Sequence, residues 1–329
     1  MAGSDREMVA AAGAGRMGRG IAVVFAYAGH PVTLVDLKPR DGADAVRVRD
    51  DALGEIRQTL TMLAGIGMIG AEAIEPILSR VTFAIADQAP AALARADVIF
   101  EGVPETIEAK QDAFALLSAH TRADAIIAST TSTMLSDELQ GFVTPPERFL
   151  NAHWLNPAFL VPLVEISPGA KTDHDVTQRL VDLLEGIGKV PVVCKASPGF
   201  IVPRLQALCM NEAARLVEEG VASAEEIDKA TRFGFGFRFA VLGVLEFIDW
   251  GGGDILYHAD RYMSEALGTD RYTAPKIVED NMQAGRIGLK TREGFLDYSD
   301  MDVAAYQRDR LAAFVGLLKH MGAARPPVV

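Results

Sequence analysis

Cysteine is almost missing from these 329 residues; Cys194 and Cys209 are the whole supply. Two thiols make at most one bridge, so a disulfide framework is excluded and a reducing compartment is the simplest reading. They also leave no second pair for a cysteine zinc site, and no other cluster has metal-ligand spacing, so no metal is expected. Long apolar runs are absent as well, which excludes a membrane-spanning helix. Met1–Glu7 is polar and charged and lacks the apolar core of a secretory leader. Together these absences lead to the expectation of a cytoplasmic protein without a membrane partner. Basic runs are missing too. The formal net charge is −12 and no Lys/Arg stripe occurs, so no nucleic-acid partner is expected. What remains is abundant apolar material, 49% of residues, enough for a large core and two domains.

The most informative stretch is Gly13-Ala14-Gly15-Arg16-Met17-Gly18. A short apolar run, Met8–Ala12, precedes it. An apolar helix pattern, Ile21–Ala28, follows and stops at Gly29, and then Pro31–Asp36 reads as a β-branched strand ending in a carboxylate. Strand, glycine turn, helix, strand and acid form the dinucleotide-binding βαβ unit. Gly13 allows the tight turn, Gly15 the approach of a pyrophosphate, and Gly18 close packing of helix on strand. The helix N-terminus offers N–H groups and a positive dipole end to phosphates. Asp36 is spaced to accept both ribose hydroxyls and would repel a 2′-phosphate, so NAD is expected rather than NADP. One blemish is Ala10-Ala11-Ala12, where strand propensity is poor.

Short apolar strands then alternate with helical patterns up to about residue 195: Val81–Ala84, Asp97–Val103, Ala125–Ser129, Arg148–His153, Leu163–Ser167 and Val190–Lys195. Continuous apolar strands between helices imply a mostly parallel sheet covered on both faces. From Ser197 amphipathic helical segments take over: Phe200–Glu219, Ala224–Phe233, Val244–Ala266, Ala274–Ala284 and Val303–His320. The expected fold is α/β: a Rossmann-like doubly wound domain over 1–196, followed by an all-helical domain over 197–329, with ligands in a cleft.

Chemistry-bearing residues gather at predicted strand ends: Glu105 after Val103-Pro104, the run Ser129–Thr133, His153-Trp154-Leu155-Asn156-Pro157, and Glu165 within Leu163–Ile166. A histidine after a strand is more often structural than catalytic, and a Ser/Thr run is usually a loop. A carboxylate inside an apolar run is different, because it must have a partner. Imidazole is a natural one. NAD-linked oxidation of an alcohol needs a base for the hydroxyl proton. His153 can be that base, with Glu165 fixing its tautomer and Ser132 and Asn156 on the substrate oxygen or the nicotinamide.

These segments resemble the L-3-hydroxyacyl-CoA dehydrogenase family. The glycine fingerprint, Val103-Pro104-Glu105, His153-Trp154-Leu155-Asn156-Pro157, Leu163-Val164-Glu165, Pro198-Gly199-Phe200, Gly285–Thr291 and Gly294–Tyr298 occur in the family's order across nearly the whole chain. The resemblance implies His153 as base with Glu165 as its partner, Ser132 and Asn156 as substrate and cofactor contacts, and Glu105 and Lys110 on the nicotinamide ribose. It also implies a fingerprint of Gly13, Gly15, Met17 and Gly18 with Asp36 for NAD, and a homodimer built through the helical domain.

Two departures bear on the substrate. Pro203 stands where the family pattern has asparagine and removes a donor. Residues 41–80, where fatty-acyl members carry lysines toward coenzyme A, contain no lysine, only four arginines against seven acids. Several C-terminal segments, including Gly236–Ala240, resemble the gulonate dehydrogenase and lambda-crystallin branch, which handles free hydroxy acids. Arg238, read as lying on a turn, then meets a substrate carboxylate or is simply a solvated arginine. The expected function is NAD-dependent oxidation of a short-chain L-3-hydroxyacyl-CoA of the 3-hydroxybutyryl type. The alternatives are a free 3-hydroxy acid as substrate, or a non-catalytic crystallin-like relative.

Overall fold

The computed structural model describes residues 6–328. One compact unit ends at Cys209 and a second begins at Met210. The first is built on eight strands: β1 (Val9–Ala12), β2 (Val32–Val35), β3 (Val81–Ala84), β4 (Val98–Glu101), β5 (Ile126–Ser129), β6 (Phe149–Trp154), β7 (Leu163–Pro168) and β8 (Val190–Val193). They lie in the order 3-2-1-4-5-6-7-8, all parallel except the antiparallel β6–β7 pair. Chain direction through the sheet reverses between β1 and β4. That switch point is where open α/β sheets bind ligands, beyond the carboxyl ends of the strands.

The helices of this unit are α1 (Arg16–Tyr27), α2 (Gly42–Gly65), α3 (Ile74–Leu78), α4 (Ala89–Leu93), α5 (Ile107–His120), α6 (Ser136–Gln140) and α7 (His174–Gly186), with α8 (Val202–Glu218) leading into the second unit. Helices α1, α2 and α7 bury Ile21, Phe25, Ile56, Leu60, Leu180 and Leu184 on one sheet face. Helices α4, α5 and α6 bury Leu93, Phe114, Leu117 and Leu139 on the other. The alanines of β1 find their explanation here. Val9 and Ala11 face one core, Ala10 and Ala12 the other, and none is more than 1% exposed. Central position and burial on both faces override the weak strand propensity of alanine.

In the second unit the chain forms α9 (Ala224–Ala230), a π-helical stretch Thr231–Gly236, α10 (Phe237–Phe239), α11 (Val244–Gly251), α12 (Gly253–Leu267), α13 (Lys276–Gln283) and α14 (Val303–His320). The segment Val244–Ala266, read from sequence as one helix, is two. Gly252, at φ 108°, breaks it in a conformation that costs other residues dearly. No helix among the described residues is long and apolar enough to cross a membrane.

Candidate active site

At the switch point the glycine turn has a distinct physical duty at each position. A side chain on Gly18 would place its Cβ 2.0 Å from the Gly13 carbonyl, so this glycine is required by packing. A Cβ on Gly15 would meet nothing within 4 Å. It would project instead into a cavity of about 670 Å³ lined by Gly13, Gly15, Asp36, Arg40, Val103 and Pro104 among others. Helix α1 starts at this cavity with no side-chain cap and no acid in its first turn. Free N–H groups facing an open cavity fit a bound pyrophosphate. Met17 does not line the cavity; it packs against the core.

Asp36 is 6% exposed at the end of β2. Its carboxylate is already engaged: Arg40 Nε donates to it, and Arg40 Nη1 donates to Asp44 at 2.8 Å. The two carboxylates hold the Arg40 guanidinium firmly charged. A ribose would share Asp36 with that arginine, which the sequence reading did not foresee.

The β4–β5 edge is tied together by two glutamates. Glu101, fully buried, accepts from Lys110 Nζ on both oxygens at 3.0 Å, from Ser129 Oγ at 2.7 Å and from the Val103 amide at 2.6 Å. Lys110 is therefore not open to a ribose as expected. It is 1% exposed, because an ammonium in this interior needs a carboxylate and Glu101 supplies it. Glu105 holds the next loop, accepting from Thr131 Oγ1 at 2.8 Å and from the Ser132 amide at 3.0 Å. Ser132 is left exposed at the strand edge. Glu101 escaped the sequence reading although its setting, Val98-Ile99-Phe100-Glu101, is the same signal that singled out Glu165.

The antiparallel register of β6 and β7 sets His153 directly opposite Glu165. Both are buried, and His153 Nδ1 lies 2.8 Å from Glu165 Oε2. Glu165 Oε1 accepts the amides of Ile201 at 2.9 Å and Val202 at 2.8 Å, at the start of α8. A carboxylate surrounded by donors requires Nδ1 to carry its proton, which leaves the lone pair on Nε2. Phe200 stacks on the imidazole, with centroids 5.4 Å apart and planes at 17°. It does so from a left-handed backbone, φ 44°, an unfavourable state for a bulky residue. Asn156 lies three residues beyond His153, on the loop after β6. That loop is fastened by buried Lys189, whose Nζ donates to the carbonyls of Ala158 at 2.6 Å and Val161 at 2.8 Å. Burial pulls the Lys189 pKa down.

Arg238 is not on a turn. It lies in α10, with its guanidinium 5.3 Å from the Phe247 ring centroid, exposed and without a carboxylate partner among the described residues. Of the four arginines in residues 41–80, three are paired with acids and Arg80 donates to the Ala26 carbonyl at 3.2 Å. Arg47 pairs with Asp44 and Asp51, Arg49 with Asp50, and Arg57 with Glu75.

Residues 8–197 match the family model of the 3-hydroxyacyl-CoA dehydrogenase NAD-binding domain, and residues 199–298 match that of the C-terminal domain. The chain belongs to the 3-hydroxyacyl-CoA dehydrogenase family. It is an NAD-dependent oxidoreductase of that family. Among its relatives is 3-hydroxybutyryl-CoA dehydrogenase of Clostridioides difficile, 31% identical over 88% of this chain and 99% of the relative. Another is 5-formyl-3-hydroxy-2-methylpyridine 4-carboxylate 5-dehydrogenase of Mesorhizobium japonicum, 30% identical over 94% of this chain and 96% of the relative. The solved 3-hydroxyacyl-CoA dehydrogenase of Archaeoglobus fulgidus superposes with a TM-score of 0.75 at 28% identity, covering 97% of this chain and all of that one.

Proposed function

We propose that this dehydrogenase oxidises the 3-hydroxyl of a short-chain substrate to a ketone, with His153 as the base. The observation that carries the reading is the His153–Glu165 pair. Its lone pair lies on Nε2, at the end of a strand in the same sheet whose switch point fits a dinucleotide. NAD, when bound, accepts the hydride. Nε2 takes the hydroxyl proton as the carbon–hydrogen bond breaks. Glu165 then faces an imidazolium, which its charge stabilises. Exposed Ser132 and Asn156 hold the substrate oxygen or the nicotinamide edge.

Two readings of the substrate's far end are supported. The family and the Clostridioides relative favour a CoA thioester such as 3-hydroxybutyryl-CoA. The self-paired arginines of α2, the donorless Pro203 and the Mesorhizobium relative favour a free acid. Turnover of 3-hydroxybutyryl-CoA and 3-hydroxybutyrate with NAD, over a salt series, separates them. Recognition of CoA phosphates by surface cations weakens steeply with salt, and recognition of the hydroxy-acid portion much less.

Asp36 sets the cofactor prediction. Asp36→Ala is expected to raise the NADP-to-NAD ratio of kcat/KM by roughly two decades, since a like-charge clash costs several kcal/mol. Arg40 remains held by Asp44 and becomes available to a 2′-phosphate. Equal use of both cofactors by the native protein overturns this.

We infer that two copies pair through the helical region. Helices α8 and α14 bury no side chain in the single chain. They expose Leu205, Leu208, Leu311 and Val315, each at least half exposed, spaced three or four residues apart as on one helix face. Light scattering at micromolar concentration is expected to give twice the chain mass, and Leu208→Glu to lower it. A native monomer rules pairing out.

A further inference from the structure

A second cavity, about 330 Å³, opens between α1, α2 and the loop after β6. Its floor is apolar, with Val23, Ile56 and Phe159. Polar groups enter it from Arg16, Thr59 and Asn156. One other cation lines it, Arg19, and that one is neutralised by Glu55 at 3.1 Å. Arg16 is exposed and has no ion pair and no hydrogen bond among the described residues, so its guanidinium is available to a ligand in the cavity. Such an arginine, beside an amide and a hydroxyl over an apolar floor, has the chemistry of a carboxylate clamp. The cavity also borders the loop that follows the catalytic strand, through Asn156, Pro157, Ala158 and Phe159. Asn156 follows His153 by three residues, so their Cα atoms are within about 11 Å of each other. A ligand of that length spans from Asn156 to His153, which does not itself line the cavity. A cavity of this size suits a compact organic acid, and no cation is left free in α2 to take nucleotide phosphates.

We propose that Arg16 binds the free carboxylate of a compact hydroxy-acid or keto-acid substrate, and so selects for an anionic end close to the reacting carbon. The inference rests on the free-acid reading given above and makes Arg16 a substrate-binding residue of that site.

The test uses three probes in the reducing direction with NADH: acetoacetate, its neutral methyl ester, and acetoacetyl-CoA. The native protein is expected to prefer acetoacetate. Arg16→Gln should raise the KM for acetoacetate tenfold to a hundredfold with little change in kcat, and leave the KM of the methyl ester unchanged. Arg16→Lys should recover part of the loss. Calorimetric titration of acetoacetate into the NAD-loaded protein gives the same comparison without turnover. If Arg16→Gln weakens NADH binding in the absence of substrate, the arginine serves the cofactor and the proposal falls. It falls equally if the acetoacetate KM is unmoved, or if acetoacetyl-CoA is preferred and Arg16→Gln affects all probes alike. Absence of turnover with every probe counts against the dehydrogenase reading, and the calorimetric comparison then still decides the role of Arg16.

Discussion

His153→Ala is expected to lower kcat by about 10²–10⁴, the usual contribution of a general base, while NADH binding followed by fluorescence titration stays close to native. The separation follows from the geometry. The fingerprint and Asp36 lie at the ends of β1 and β2, whereas the His153 side chain hydrogen-bonds only to Glu165 among the described residues. Glu165→Gln should behave differently. Three donors converge on that carboxylate: Nδ1–H of His153 and the amides of Ile201 and Val202. A glutamine has one acceptor oxygen and turns an NH₂ toward at least one of them. Either the imidazole or the start of α8 loses its partner inside the protein, at a cost of about 1–3 kcal/mol. So Glu165→Gln should lower both kcat and the melting temperature, the latter by several degrees. His153→Ala takes one donor from the same buried carboxylate, so its melting temperature should fall too, but the two amides that open α8 stay paired. A His153→Ala variant keeping a tenth of the native rate removes the histidine from the chemistry.

How far the site could be read in the sequence depended on whether a residue's partner was local or remote. The glycine turn is a local device, and its three glycines and their spacing to Asp36 are visible in one line of text. Glu165 betrayed itself because an acid inside an apolar strand is costly without a partner. Its histidine could be guessed, but the cross-strand register that joins them depends on the one antiparallel pair in the sheet. Phe200 could not be found this way. It reads as an ordinary apolar residue opening a helix, and only the left-handed turn at Gly199-Phe200 brings its ring onto the imidazole. Lys110 was expected at the nicotinamide ribose from the resemblance alone; its partner Glu101 is nine residues earlier and on a different element. Arg40 was overlooked because a motif read for its acid says nothing of the arginine four residues on, which occupies that acid.

The largest loss of stability is expected from a residue that no part of the functional reading used. Asp249, 2% exposed in α11, accepts the amides of Phe295 at 2.9 Å and Leu296 at 2.8 Å and the hydroxyl of Tyr298 at 3.1 Å. Its backbone carbonyl accepts the Leu289 amide at 3.0 Å. Gly288 lies so close, at φ 116°, that a Cβ there would stand 2.3 Å from the same carbonyl. The segments Gly285–Thr291 and Gly294–Tyr298, which mark the family in the sequence, thus form a clasp around one buried carboxylate. Asp249→Ala leaves three donors without an acceptor and should cost roughly 3–5 kcal/mol. Gly288→Ala should cost a comparable amount through backbone displacement. The protein supplies its own reporters. Of its two tryptophans, Trp154 lies in the first unit and Trp250 in the second. In a Trp250→Phe background, the Trp154 transition of Asp249→Ala should stay near its native temperature while the helical circular dichroism melts earlier. The alkaline limb gives a second reading. Burial first, and Asp249 second, raise the Tyr298 phenol above its ordinary value near 10. The neutral phenol is favoured in the folded state, so its contribution is complete below that ordinary value and is lost as pH rises through the folded-state value. With Asp249 removed, part of that shift goes, and the tyrosinate absorbance of Tyr298 should appear at lower pH than in the native protein. An Asp249→Ala variant that melts with the native protein, and titrates with it, shows that the clasp is held by something other than this carboxylate.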